Sequence, residues 1–447
     1  MNTIIRTKKG LLEGVNAGAY TVYKGVPYAK PPTGELRFRA PQEPDAWDGV
    51  KKADTFPNMC EQELPTPDST FTAAYYKEFY SNPDFVPPMS EDCLYLNIWV
   101  PNQKSAEPMP VAFWIHGGAF SGGYSSEPEF DGAKFCEKGV ILVTIEYRLN
   151  IYGFFAHRWL SAENERGISG NYGILDQLAA LNWVSENIAA FGGNPDKITV
   201  FGQSAGSMSV QVLVSSELTK GKISGAILQS GISCETDILY CPTLEEAEAL
   251  GEKFVEFAGA ESLEELRAMD AEALQKARMK LEAYCWKTMK NGLILVPNAD
   301  GYVLKDTVKN IWKNGKMHHI PYMVGSTGND LGMSPEEAAQ GVPGLLQKEG
   351  KLWAEKTEEI YKNPAYLYWF THKLPGDDMG AFHSSEIWYV HGTLDRCWRP
   401  MEEEDYRLSE EMVTCWTNFM KKGDPNTEGQ KNWPAYRKDA PFVKEFQ

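Results

Sequence analysis

Apolar residues along this chain fall in short unbroken runs rather than in strict alternation with polar ones. From about residue 95, LYLNIWVP (94–101), VAFWIHG (111–117), VILVTIEY (140–147), KITVFG (197–202), GAILQSG (225–231) and PYMVGS (321–326) are rich in β-branched and aromatic residues, the composition of strands. Runs with no polar alternate suit strands covered on both faces. Between them the period changes to that of a helix. Over YGILDQLAALNWVSENIAAFGG (172–193), Ile174, Leu175, Leu178, Leu181, Trp183, Val184 and Ile188 form one stripe, which Gly192 and Gly193 end. Strand, helix, strand repeats predict an α/β fold with a doubly wound, mostly parallel sheet.

Two stretches depart from that rhythm. Residues 243–290 are acidic, helical in period and without a strand pattern, which predicts a helical insertion above the sheet. A second helical insertion is expected at about 334–375, after the strand at 321–326. Insertions of this kind supply a lid or a pocket wall. No Pro/Ser-rich linker and no repeat divides the chain, so residues 1–447 read as one elaborated domain.

Composition narrows the function. Hydrophobic residues are 43% and aromatics 12% of 447 residues, enough for a large core and an aromatic-lined pocket. A formal charge of −17 opposes polyphosphate partners, so no nucleic acid is expected. No apolar run approaches the roughly 18 residues of a membrane helix, so no membrane partner is expected either. The opening MNTIIRTKKGLLEGV has no apolar core before Lys8, which predicts a cytoplasmic protein unless a leader has been removed. Eight cysteines form no C-x-x-C pair, and His318-His319 has no carboxylate ligand pattern beside it. No metal is expected. The glycine motifs of dinucleotide and P-loop sites are also absent, and no cofactor is expected.

The stretch VFGQSAGSMSV (200–210) contains G-x-S-x-G, a pattern that chance alone supplies readily. Its setting adds weight. KITVF reads as a strand ending at Gly202, and AGSMSVQVLVSSE as the helix that follows. A strand-to-helix turn is strained at its apex, which exposes Ser204, while the flanking glycines relieve backbone clashes. The helix start also aims its positive end and the Ala205 N–H at the reaction centre. A serine hydroxyl attacks only when a base takes its proton. In the nucleophile, acid, base order of α/β-hydrolases the base comes late, which leaves His318, His319, His372, His383 and His391. The acid belongs on a turn after a strand, and PYMVGSTGND offers Asp330 there; His372, His383 and His391 lie downstream. HGGAF (116–120) follows the strand VAFWI, and its glycines let backbone N–H groups approach a substrate oxygen.

Together with GVPYAKPPTGELRFRAPQEP (25–44), SEDCLYLNIWVP (90–101), EYRLNIYGF (146–154), PNADG (297–301) and FHSSEIWYVHG (382–392), these motifs resemble the type-B carboxylesterase and cholinesterase group of α/β-hydrolases. The resemblance covers nearly the whole chain. It implies an α/β-hydrolase fold with Ser204 as nucleophile, His383 as base and Asp330 as acid. That group more often carries glutamate at the acid position, and Asp300 in PNADG is the alternative. His372 and His391 are then packing or surface residues. The resemblance also implies oxyanion-hole N–H groups from Gly118, Ala119 and Ala205, and a buried Glu386–Ser230 contact that holds the segment carrying the base. Cys60 and Cys93 match a disulfide of secreted members, although a cytoplasmic protein would keep them reduced. Arg37 and Glu91 match a structural ion pair.

The implied activity is hydrolysis of a small-molecule carboxylic ester through an acyl-enzyme, by a monomer or homodimer. Cholinesterases carry a tryptophan upstream of the Cys93 position, where this chain has Pro83, and a glutamate before the nucleophile, where it has Gln203. Both departures point away from choline and toward neutral small acyl or aryl esters. Phe120, Tyr124, Phe154 and Trp388, with Met333, are expected to line an apolar gorge. A catalytically silent adhesion-type binding module on the same fold and a lipase are the competing readings. The presence of both Ser204 and His383 weighs against the silent module.

Overall fold

A computed structural model describes residues 3–69, 72–103, 105–238, 240–334, 336–337, 340–429 and 432–447. Its centre is a ten-stranded sheet. In chain order the strands are β1 (Val15–Asn16), β2 (Tyr20–Pro27), β3 (Tyr95–Pro101), β4 (Met109–Ile115), β5 (Ile141–Ile145), β6 (Gly193–Gln203), β7 (Gly225–Gln229), β8 (Tyr322–Thr327), β9 (Ala365–Phe370) and β10 (Val443–Phe446). Across the sheet they run β10-β9-β8-β7-β6-β4-β5-β3-β2-β1. The pairs β1–β2, β2–β3 and β3–β5 are antiparallel, and every pair from β5 to β10 is parallel. A three-stranded sheet (Ile4–Arg6, Leu11–Glu13, Val50–Lys52) stands beside it.

The unbroken apolar runs follow from three-layer packing. Every residue of β5 and of β7 is buried. Along β4, Val111, Phe113 and Ile115 enter one core, and Ala112 and Trp114 enter the other. The first core takes helices α1 (Tyr172–Asn187) and α2 (Ala205–Ser215); the second takes Leu408, Met412 and Trp416 of the C-terminal helix Glu403–Lys422. A strand with a helical layer on each side has room for few polar residues, and those it holds, such as Thr144 and Gln229, are hydrogen-bonded.

The expected insertion at 243–290 is helical: α3 (Leu244–Ala258), α4 (Leu263–Ala268) and α5 (Ala271–Met289). Thr243, Ser262 and Asp270 each accept a hydrogen bond from the backbone N–H three residues on, so polar caps divide the stretch into three helices. Arg37 ties the insertion to the body. Its guanidinium pairs with Glu91 and also donates to the carbonyls of Arg267 and Met269, at 2.7 and 2.6 Å.

The second insertion differs from the expectation. Leu345–Tyr361 is helix α6, but Ala365–Phe370 is strand β9, between β8 and β10 in the sheet. AYLYWF has no polar residue to mark a helix face, and Pro364 breaks the chain before it. Cys60 and Cys93 form a disulfide. Among the described residues no helix is long and apolar enough to cross a membrane.

The carboxyl ends of four adjacent parallel strands carry the chemistry-bearing loops. HGGAF follows β4, Ser204 follows β6, Ser230 follows β7 and Asp330 lies on the turn after β8. Ligands of doubly wound sheets bind at this edge.

Candidate active site

Ser204 occupies the one-residue turn between β6 and α2, with φ 56° and ψ −124°. That conformation is strained for a residue with a side chain, and packing holds it. The Ser204 N–H donates to Gln229 O at 2.9 Å, and Ser204 O accepts from the Met208 N–H at 2.9 Å. A Cβ at Gly206 would lie 2.0 Å from Ile115 O, and one at Gly202 would lie 2.6 Å from Gly206 C. Only glycine allows the turn to press against the end of β4.

The loop after β4 is also unusual, with Gly118, Ala119 and Phe120 at φ 99°, 56° and 57°. It is closed by the Ser121 and Gly122 N–H groups, each donating to Gly118 O at 2.9 Å. Among the described residues, the N–H groups of Gly118, Ala119 and Ala205 have no protein acceptor. Gly118 and Ala119 face the cavity that holds Ser204.

Asp330 and His383 meet because their loops are stitched together. The Asn329 N–H donates to Ala381 O at 2.8 Å. The His383 Nδ1–H then donates to Asp330 Oδ1 at 2.6 Å. The Asp330 carboxylate accepts three further bonds: from Ser230 Oγ at 2.6 Å, the Thr327 N–H at 2.9 Å and the Leu331 N–H at 2.8 Å. Burial by itself would push this carboxyl up, but the His383 ring, Ser230 and the Thr327 N–H outweigh it and hold the group below the usual aspartate value. The far ring nitrogen, His383 Nε2, faces the side-chain amide of Gln203 at 3.3 Å. Among the described residues Ser204 Oγ makes no hydrogen bond to the ring; such bonds commonly form only when substrate arrives.

Ser204, His383 and Gln203 line one cavity of about 260 Å³. Asp330 stands behind His383, 4% exposed. The alternative acid, Asp300, is elsewhere: it accepts from Asn171 Nδ2 and from the N–H groups of Tyr302, Val303 and Leu304, the bonding of a structural turn. His391 is buried among Trp114, Phe130, Phe135 and Phe201, and His372 pairs with Asp405 at 2.8 Å.

Two expectations are corrected. Ser230 forms no hydrogen bond with Glu386. Its single hydroxyl proton goes to Asp330, whose short side chain leaves Oδ2 within reach of the end of β7. Glu386 Oε1 instead accepts from Gln229 Nε2 at 3.4 Å. The second correction concerns the gorge, since Phe120, Tyr124, Phe154, Met333 and Trp388 are absent from the cavity wall. The left-handed turn at Ala119 and Phe120 drives the Phe120 ring into the core, where it packs on Phe154 at 5.0 Å. Tyr124 is buried against Tyr80, and Met333 packs on Gly344. The helix Ile387–His391 turns Ile387 to the cavity, leaving Trp388 stacked behind it on Phe79 with its indole N–H on Glu78 at 3.0 Å.

The carboxylesterase family model matches residues 1–352 and 345–446. The chain is 34% identical to the para-nitrobenzyl esterase of Bacillus subtilis (strain 168), an alignment that covers 98% of this chain and 93% of that protein. It is 32% identical to the fumonisin B1 esterase of Sphingopyxis macrogoltabida, over 97% of this chain and 84% of that one. Among solved structures, a thermophilic para-nitrobenzyl esterase superposes with a TM-score of 0.85 at 32% identity, covering 100% of this chain and 96% of that one. The chain belongs to the carboxylesterase family.

This carboxylesterase is a serine hydrolase of carboxylic esters on the α/β-hydrolase fold, and the relatives named above lend the silent-module reading no support. A hydroxyl on a strained turn, an imidazole oriented by a carboxylate and unengaged N–H groups at a helix start are the parts that acyl transfer uses. The rest of the wall escaped the sequence reading. Tyr75, Phe79, Tyr80, Phe130 and Ile387 form its apolar part, with Leu331 at the rim. Tyr75 OH also bonds Ser384 Oγ at 3.0 Å, next to the His383 backbone. Glu127 and Glu129 supply two carboxyls. The aromatic cluster in AAYYKEFY and the acids of SEPEFDG, a few residues past HGGAF, were the available signals.

Proposed function

We propose that this carboxylesterase hydrolyses neutral small acyl or aryl esters in two half-reactions at Ser204. His383 Nε2 takes the Ser204 proton as Oγ attacks the ester carbonyl, and the same proton passes to the departing alcohol. Water then attacks the acyl-serine with His383 again as base, which frees the acid. Asp330 keeps the imidazole in the tautomer with Nδ1 protonated and stabilises its cation, while the N–H groups of Gly118, Ala119 and Ala205 hold the oxyanion.

The observation that carries this reading is the 2.6 Å bond between His383 and Asp330 at the wall of the cavity that holds Ser204. Small substrates fit a cavity of about 260 Å³, below the roughly 300–1,000 Å³ of most ligand pockets. The neutral Gln203 beside the nucleophile supports an uncharged ester, and the relative named for para-nitrobenzyl esters supports one that carries an aromatic ring. Residues 1–447 act as one domain in this reading, with α3–α5 as an insertion that adds to the first core. A cytoplasmic monomer or homodimer, without nucleic-acid or membrane partners, belongs to the same proposal. The Cys60–Cys93 bridge weighs toward an oxidising compartment instead, and thiol titration of protein taken from its native cell decides between them.

A fluorophosphonate probe should add one adduct, located at Ser204 by peptide mass spectrometry. Ser204→Ala should lose both the adduct and measurable turnover. An adduct elsewhere, or retained turnover, would refute the assignment.

A further inference from the structure

The wall of the cavity that holds Ser204 carries two carboxyls that the mechanism does not use. Glu127 and Glu129 line the same cavity as Ser204, and they are only 7% and 2% exposed. Their carboxyls lie within hydrogen-bonding reach of each other, and Glu127 Oε1 accepts from Tyr80 OH at 2.8 Å. Neither carboxyl forms an ion pair among the described residues; the nearby cation Arg396 is spent on Asp131 and on the Pro128 carbonyl. Two carboxyls this deeply buried and this close do not both ionise. One keeps its proton and gives it to the other, and burial pushes Glu127 up to about 7. The segment is also anchored by Thr393, whose Oγ1 donates to Glu129 O at 2.9 Å.

A buried acidic pair could be merely structural, were its polar atoms all engaged. Here, among the described residues, no N–H or O–H donor from outside the pair reaches Glu129 Oε2. A buried acceptor without a donor is costly, by about 1–3 kcal/mol, and this one belongs to a residue on the wall of a substrate-sized space. We propose that Glu127 and Glu129 form a subsite for a hydrogen-bond donor, taking a hydroxyl at the non-reacting end of the ester. The proposal deepens the neutral-ester reading and rests on it: a pair that shares a proton offers acceptor oxygens to an uncharged hydroxyl, and Phe79, Tyr80 and Phe130 cover the carbon skeleton that carries it.

The test uses matched esters and pH-stat titration at pH 7. Butane-1,4-diol monoacetate is compared with pentyl acetate, and methyl 5-hydroxypentanoate with methyl hexanoate, so that a hydroxyl replaces a methyl on the alcohol side or on the acyl side. In one of the two series the hydroxyl ester should have a kcat/KM about tenfold higher than its methyl partner, the worth of one buried hydrogen bond. Glu129→Leu should bring that ratio to about one, while Glu129→Gln, which keeps an acceptor oxygen, should retain most of it. A wild-type ratio near one in both series overturns the proposal, whatever the variants do. So does a larger advantage for 4-aminobutyl acetate that Glu129→Gln abolishes, because that would mark a cation site. If no ester is turned over and no fluorophosphonate adduct forms, the esterase reading has failed rather than the subsite.

Discussion

Asp330 stays charged in a place that water does not reach because four donors surround its carboxylate: the His383 ring, Ser230 Oγ and the N–H groups of Thr327 and Leu331. Ser230 is the one side-chain donor that can be removed without touching the base. Ser230→Ala leaves Oδ2 with the Thr327 N–H alone, so unfolding in urea should cost about 1–3 kcal/mol less. The carboxyl would then bind a proton more readily, and the acid limb of kcat/KM should move to higher pH. An unmoved acid limb would show that Ser230 merely packs there. Asp330→Asn removes the charge and disfavours the useful tautomer, so kcat should fall by about 10³–10⁴-fold with the fold retained. Near-normal rates would transfer the acid's role to another residue.

At the scale of elements, the β6–α2 turn works because two glycines permit a contact that side chains forbid. Gly206 sits on the first turn of α2, where a methyl group would fall 2.0 Å from the backbone oxygen of Ile115. Neither element can retreat, since β4 lies between β5 and β6 in the parallel sheet and α2 is buried along its whole length. Gly206→Ala should therefore destabilise the protein by at least about 3 kcal/mol, a severe case of overpacking. Thermal unfolding reads this directly, and a melting temperature within a degree of wild type would mean that the turn is looser than its contacts indicate.

For the whole molecule, buried carboxyls of two kinds bound the pH range of stability. Asp330 is held below its ordinary value of 3.8, so it binds protons less well folded than unfolded. Its contribution is present above about pH 4 and is lost as pH falls further. Glu386 and Glu146 are the reverse. Burial raises them to about 7 and about 8, so the folded state holds protons that the unfolded chain releases near 4.5. Their effect on stability is harmless below that value and grows more unfavourable as pH rises toward 7 or 8. On these groups stability should peak at about pH 4–5 and decline from there toward pH 7 or 8. Glu386→Gln should gain on the wild type as pH rises from 5 to 8, by up to about 3 kcal/mol. Parallel unfolding curves for the two proteins over that range would refute a neutral, buried Glu386.

Much of this protein is legible in its chain because the signals are local. Apolar runs mark strands that are covered on both sides, G-x-S-x-G at a strand end marks a turn that only glycine can close, and the late positions of Asp330 and His383 follow from chain order. The strand Ala365–Phe370 was missed because an all-apolar run carries no period, and only its neighbours β8 and β10 make it a strand. The cavity wall was misread for a related reason. Two adjacent helical residues point about 100° apart, so whether Ile387 or Trp388 faces Ser204 depends on how the whole helix is seated. The sequence by itself determined which residue types and turns stand at the ends of the sheet strands, since covalent spacing and steric limits act within a few residues. Only the tertiary structure decided that Ser230 serves Asp330, that Gln203 meets His383 and that Glu127 and Glu129 line the cavity. Those partners lie far apart along the chain, and each donor goes to the acceptor that packing leaves within about 3 Å of it.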